Sequence, residues 1–163
     1  AGADVISLSL GGYHPTPPKA EVEAIDYALK RGAIVVVAAG NESDDAAEHS
    51  PANVPGVIVV TATDRNGSKA NFSNTANTLE HPIAAPGVDI FSLGLGNGYV
   101  PMSGTSMATP MVAGLLGVMR SLQPGLTAQQ AYDILKRTGT RGPDAGTIGL
   151  TIDADAALAA VVE

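Results

Sequence analysis

Cysteine is absent from the 163 residues, which excludes disulfides, thiolate nucleophiles and Cys-ligated zinc or iron–sulfur centres. It leaves the redox compartment open, because secreted chains can also lack cysteine. Basic residues are scarce: nine Lys and Arg stand against sixteen Asp and Glu, a formal charge of −7. That balance repels phosphate backbones and anionic lipid surfaces, so neither nucleic acid nor a membrane is expected as a partner. Long apolar runs are missing too. The stretches 33–40 and 107–119 fall short of the ~18 residues a membrane span needs, and Thr109 and Pro110 interrupt the second. The start at Ala1 has no initiator Met, no basic region and no apolar signal core, so the chain is expected to begin downstream of any targeting signal, as part of a longer protein.

What is present points to a globular, turn-rich chain. Apolar residues make up 45%, with nineteen glycines and eleven prolines, and the length suits one domain. Residues 4–10 are β-branched and apolar and stop at Gly11-Gly12, which predicts a strand. Val22, Ile25, Ala28 and Leu29 recur at helical spacing over 19–31, after Pro17-Pro18 and before Gly32. The unbroken apolar run 33–39 predicts a strand buried on both faces of a parallel sheet, completing a βαβ unit. A polar loop, 41–55, precedes a further strand at 57–60. Shorter strands are expected at 70–73, 82–85, 88–92 and 99–102, as hairpins and edges. Helices follow at 106–122, from Thr127 with Gln130 as capping-box partner, and at 153–162. The fold class is α/β, with no internal repeat.

Two strings carry chemistry. In Gly104-Thr105-Ser106-Met107-Ala108-Thr109-Pro110 a hydroxyl stands where a helix begins, so unpaired N–H groups and the positive end of the helix dipole would favour an oxyanion beside Ser106. Taken alone, Ser106 reads as a helix cap. In Val36-Val37-Ala38-Ala39-Gly40-Asn41 a buried strand ends in a carboxamide at the sheet edge where open α/β sheets bind ligands. Taken alone, Asn41 reads as a turn residue at the end of a strand.

Together with Ser7-Leu8-Ser9-Leu10-Gly11-Gly12, Ala70-Asn71-Phe72-Ser73-Asn74 and Ala85-Pro86-Gly87, these strings resemble, in order, the subtilisin-like serine proteases. The resemblance implies that residues 1–163 are the C-terminal portion of a subtilisin-like catalytic domain. The fold would be part of a three-layer, parallel-sheet architecture whose N-terminal strands and helices are absent. It also implies that Ser106 is the nucleophile and that Asn41, with the Ser106 backbone N–H, forms the oxyanion hole. Ser9, Leu10 and Gly11 would pair with an extended peptide. Ala38, Ala39 and Gly40 would form one side of the primary specificity pocket. Ser50-Pro51 matches a cis peptide bond of the family, which places His49 near the pocket floor and implies a shallow or polar pocket. Glu42 is read as a solvated charge in an acidic loop.

A serine needs a base to take its proton. The family's Asp-Thr/Ser-Gly and His-Gly-Thr-His motifs do not occur in this sequence, and His14, His49 and His81 stand in loop contexts. The expected partners are therefore a peptide or protein substrate and either the missing N-terminal half or a second copy of the chain. The isolated chain is expected to be inactive. No cofactor is required. A structural calcium is compatible with the resemblance but is not predicted, because Glu80 remains while Pro82 stands where a second acid is expected. The family is mostly secreted, with intracellular members. A peptide-binding or assembly module without catalysis is the alternative, and a self-contained hydrolase using one of the three histidines is a third reading.

Overall fold

The computed structural model describes residues 2–162. Strand β1 (Val5–Leu8) and a short β2 (Gly12–Tyr13) precede helix α1 (Lys19–Lys30). Strand β3 (Ile34–Ala38) is buried at every position, as a continuous aliphatic run requires when both sheet faces are covered. A 3₁₀ turn at Ala46–Glu48 leads into β4 (His49–Ser50), then β5 (Ile58–Thr63) and β6 (Pro82–Pro86). A hairpin of β7 (Ile90–Leu93) and β8 (Tyr99–Met102) precedes α2 (Thr105–Leu122) and α3 (Ala128–Thr138). Helix α4 (Ala145–Ile148), β9 (Leu150–Thr151) and α5 (Ala154–Val162) complete the chain.

Five strands form one parallel sheet in the order β1-β3-β5-β6-β9. Side chains alternate between its faces. Ile34, Val36, Ile58, Val60 and Ile83 meet Val112, Leu116, Met119 and Leu135 from α2 and α3. Val35, Val37 and Val59 pack on the other face, with Ile25, Val22 and Leu29 of α1. The result is three layers, α/β/α. Arg120 fastens the last turn of α2 to the sheet: Nη2 donates to the Gly32 carbonyl at 2.7 Å and Nη1 lies 3.5 Å from Asp4 Oδ1.

Several elements differ from the sequence expectation. The first strand stops at Leu8, so Ser9, Leu10 and Gly11 lie beyond the ladder, exposed. Residues 70–73 are a turn, closed by the Ser73 amide donating to the Ala70 carbonyl, and not a strand. Residues 82–86 are an interior parallel strand rather than part of a hairpin, with Pro82 tolerated because it opens the strand. The Thr127–Gln130 capping box forms with both of its hydrogen bonds. Helix α4 and β9 have no counterpart in the sequence reading, since four and two residues carry no measurable period.

The fold brings the start of α2 to the C-terminal ends of β1 and β3. The approach is tight at Gly87, whose amide donates to the Thr63 carbonyl and whose carbonyl accepts the Gly104 amide. A Cβ on Gly87 would stand 2.6 Å from the Ala62 side chain, so only glycine lets the chain pass there.

Candidate active site

Ser106 is the second residue of α2, and Gly104, not Ser106, occupies the cap position. The capping reading of this serine is therefore excluded, and among the described residues its Oγ hydrogen-bonds to nothing. The neighbouring amides are otherwise engaged: Thr105 N–H donates to Asn41 Oδ1 at 2.8 Å, while Met107 and Ala108 reach back to the Gly104 carbonyl. The Ser106 amide has no protein acceptor among the described residues.

Asn41 follows β3 and is exposed. Its Oδ1 accepts both the Thr105 amide and the Thr105 hydroxyl, at 2.8 and 3.0 Å. Because an acceptor must face those two donors, the carboxamide is fixed with its NH₂ turned away from Thr105, and Nδ2 has no protein partner among the described residues. Asn41, Ser106, Ser9, Leu10, Gly11, Ala38, Ala39, Gly40 and His49 all line one cleft of about 200 Å³. The structure thus brings together the nine residues to which the resemblance gives a part in catalysis or substrate binding.

Pro110 lies inside α2 and has no amide to offer the Ser106 carbonyl four residues earlier. Ser9 Oγ donates to that carbonyl at 2.9 Å, which ties the exposed segment after β1 to the start of the helix.

His49 is 4% exposed, in β4 and not in a loop. Its Nδ1 is 3.7 Å from Glu42 Oε2, its Nε2 is 3.5 Å from Asp44 Oδ2, and Tyr13 meets its ring edge-on. The Asp45 amide, followed by the His49 side chain, holds the Asp44 carboxyl below its ordinary value. Glu42 is not simply a solvated charge: its Oε2 accepts the Asn41 amide at 2.7 Å and Asn74 Nδ2 at 3.0 Å. The Ser50–Pro51 peptide bond is cis. His14 is exposed, and His81 pairs with Gln129 Oε1 against Tyr132, so neither histidine is hydrogen-bonded to Ser106.

A second hollow of about 180 Å³ opens beside Ser106, lined by apolar Leu93, Val100, Met102, Met107 and Pro110. The sequence reading missed it, although alternation in the two strands of the hairpin places Val100 and Met102 on one face. Glu80, the acid that the resemblance leaves for a cation, lines a smaller cavity of about 150 Å³ with Ala52, Val54 and Val57. Among the described residues no three His, Asp or Glu converge.

The model of the Subtilase family matches residues 1–150. Subtilisin DY of Bacillus licheniformis is 40% identical over 142 residues, covering 85% of this chain and 50% of that protein. A protein named Extracellular protease, from Xanthomonas campestris, is 37% identical over 172 residues, 98% of this chain and 29% of that one. The chain spans half or less of the length of these curated relatives. A protease from Pseudoalteromonas arctica superposes with a TM-score of 0.90 at 34% identity, over 98% of this chain and 51% of that one. A cold-adapted subtilisin-like serine proteinase superposes with a TM-score of 0.83 at 32% identity, over 94% of this chain and 56% of that one.

Proposed function

The chain belongs to the subtilase family, and from that premise we propose that it supplies the nucleophile and oxyanion hole of a serine endopeptidase. The observation that carries the reading is a convergence: among the described residues Ser106 Oγ, the Ser106 amide and Asn41 Nδ2 have no protein partner, and both residues line one cleft. Ser106 Oγ attacks the scissile carbonyl, and the carbonyl oxygen, now negative, accepts hydrogen bonds from the Ser106 amide and Asn41 Nδ2. A histidine takes the serine proton and returns it to the leaving amine, and a carboxylate orients that histidine. In this reading both come from outside these 163 residues: the family's Asp and His motifs do not occur in the sequence, and no histidine among the described residues is hydrogen-bonded to Ser106. Water then releases the acyl group, regenerating the serine.

The exposed Ser9–Gly11 segment pairs with the substrate backbone, and Ala38, Ala39 and Gly40 wall the pocket above His49. A buried imidazole flanked by two carboxylates makes that pocket polar, so cleavage after small side chains exceeds cleavage after aromatic ones. A strong aromatic preference would overturn this. The partner that brings the base is the N-terminal half of the domain or a second copy of the chain, seated along the open edge of β1. The reaction so described requires no cofactor. Secretion or residence in the cell envelope fits the Extracellular protease among the relatives.

The test is intact-mass analysis after exposure to a fluorophosphonate, which needs an activated serine. In the parent protein one adduct is expected at Ser106, and none on the isolated chain. A parent protein that stays unlabelled although its cleft binds peptides would support the non-catalytic module instead.

A further inference from the structure

Asn74 closes the motif Ala70–Asn74, to which the reaction above gives no part. It is fully buried, 0% exposed, and its carboxamide spends every donor and acceptor it has. Nδ2 donates to the Ala39 carbonyl and to Glu42 Oε2, both at 3.0 Å. Oδ1 accepts the amides of Glu42 and Asp44, both at 2.9 Å. Its own backbone amide donates to the Gly40 carbonyl at 3.0 Å. The side chain lies directly on Gly40, where φ is +103° and a Cβ would come within 2.4 Å of Nδ2.

These contacts hold residues 39, 40, 42 and 44, on both sides of Asn41, without touching the Asn41 side chain. Glu42 Oε2, itself held by Asn74, accepts the Asn41 amide at 2.7 Å. Asn41 is thus gripped twice: its carboxamide by Thr105, and its backbone by a loop folded around Asn74. A buried polar group with all its capacity satisfied specifies one arrangement, because each displaced partner would lose a hydrogen bond inside the protein.

Resting on the endopeptidase reading, we propose that Asn74 is a positioning residue for the reaction: it sets the backbone that aims Asn41 Nδ2 at the developing oxyanion. The oxyanion exists only on the way to the transition state, so loosening Asn41 lowers kcat and leaves KM nearly unchanged. Misplacing a catalytic group by about 1 Å costs up to ~10²-fold. Removing the side-chain donor altogether costs a subtilisin ~10²–10³-fold in kcat, which bounds the effect.

The test is a double-mutant cycle in the full parent peptidase, with kcat, KM and melting temperature measured for Asn74→Ser, Asn74→Asp, Asn41→Gly and the combinations. Each Asn74 substitution is expected to lower kcat ~10–10²-fold with KM within about twofold. In the Asn41→Gly background, where nothing remains to be aimed, the same substitution should change kcat by less than about twofold. Full kcat in a folded Asn74 variant overturns the proposal, and so does an equal loss in both backgrounds. Failure of both Asn74 variants to fold also overturns it, because the residue then serves the fold and not the aim of Asn41. A wild-type parent that resists the fluorophosphonate refutes the endopeptidase reading instead, and that result is seen before any variant is made.

Discussion

Ser9 Oγ donates to the backbone carbonyl of Ser106 at 2.9 Å, and that is the carbonyl Pro110 leaves without its helical partner. A defect in the hydrogen-bond ladder of α2 thereby becomes the tie between the helix and the segment after β1. Ser9→Ala should lower stability by about 0.5–1.5 kcal/mol, seen as a lower urea midpoint at unchanged m. Pro110→Ala restores an amide beneath the same carbonyl, so in that background Ser9→Ala should cost measurably less. Equal losses in both backgrounds would show that the tie and the proline are unconnected.

Thr105 is fully buried and its hydroxyl works in two directions, donating to Asn41 Oδ1 at 3.0 Å and accepting the Gly40 amide at 3.3 Å. Thr105→Val keeps the shape, strands the Gly40 amide and leaves Asn41 Oδ1 with only the residue-105 backbone amide, so it should cost about 1–3 kcal/mol in stability. It should also reduce kcat in the parent peptidase. Thr105→Ser keeps the hydroxyl and should retain most of kcat. Steady-state kinetics on the pair separates the hydroxyl from side-chain volume: a valine variant as active as the serine one would dismiss the hydroxyl.

Much of the framework was legible because its signals are local. The apolar run at β3, the helical spacing of α1, and Thr127 with Gln130 at the start of α3 each declare themselves within a dozen residues. Ser106 and Asn41 stood out because each lies beside the end of such an element, at the start of α2 and after β3, while the roles proposed for them come from the resemblance. Asn74 and the inward role of Glu42 were not found, because their partners lie some thirty residues away along the chain and no period encodes that distance. The turn at 70–73 was mistaken for a strand for a related reason: its aromatic and small residues suit a pleated surface, but Ser73 Oγ accepts the Ala62 amide from the side and no ladder forms.

Asp44 should leave a mark at acid pH. Its carboxyl is held below the ordinary value of 3.8, chiefly by the Asp45 amide and then by His49. The folded state therefore favours the ionised form, and its contribution is complete above the ordinary value and lost as pH falls through the depressed one. The groups facing His49 are Glu42, Asp44 and Tyr13. Asp44→Asn should be less stable than the native chain near neutrality, with the difference shrinking as pH falls below about 4, as urea midpoints at several pH values would record. A difference independent of pH would assign the loss to shape and not to charge.

Tyr132 makes the opposite prediction at alkaline pH. The residue is 5% exposed, its ring meets that of His81 edge-to-face with centroids 4.5 Å apart, and burial, followed by the charge of Asp133, raises its hydroxyl above the ordinary 10.0. A raised acid holds its proton longer in the folded state than in the unfolded one. Its stabilising contribution is therefore full below the ordinary value and lost as pH rises through the raised one. The hydroxyl's partner is the Pro82 carbonyl at a long 3.4 Å, so Tyr132→Phe removes little at neutral pH. The phenylalanine variant should match the native chain near pH ~8 and become the more stable of the two near pH ~11, because it has no phenol left to ionise on unfolding. Melting temperatures at those two pH values decide it: parallel alkaline losses in both proteins would move the cause to other groups, and a large deficit at pH ~8 would mean that the long hydrogen bond to Pro82 contributes more than its length suggests.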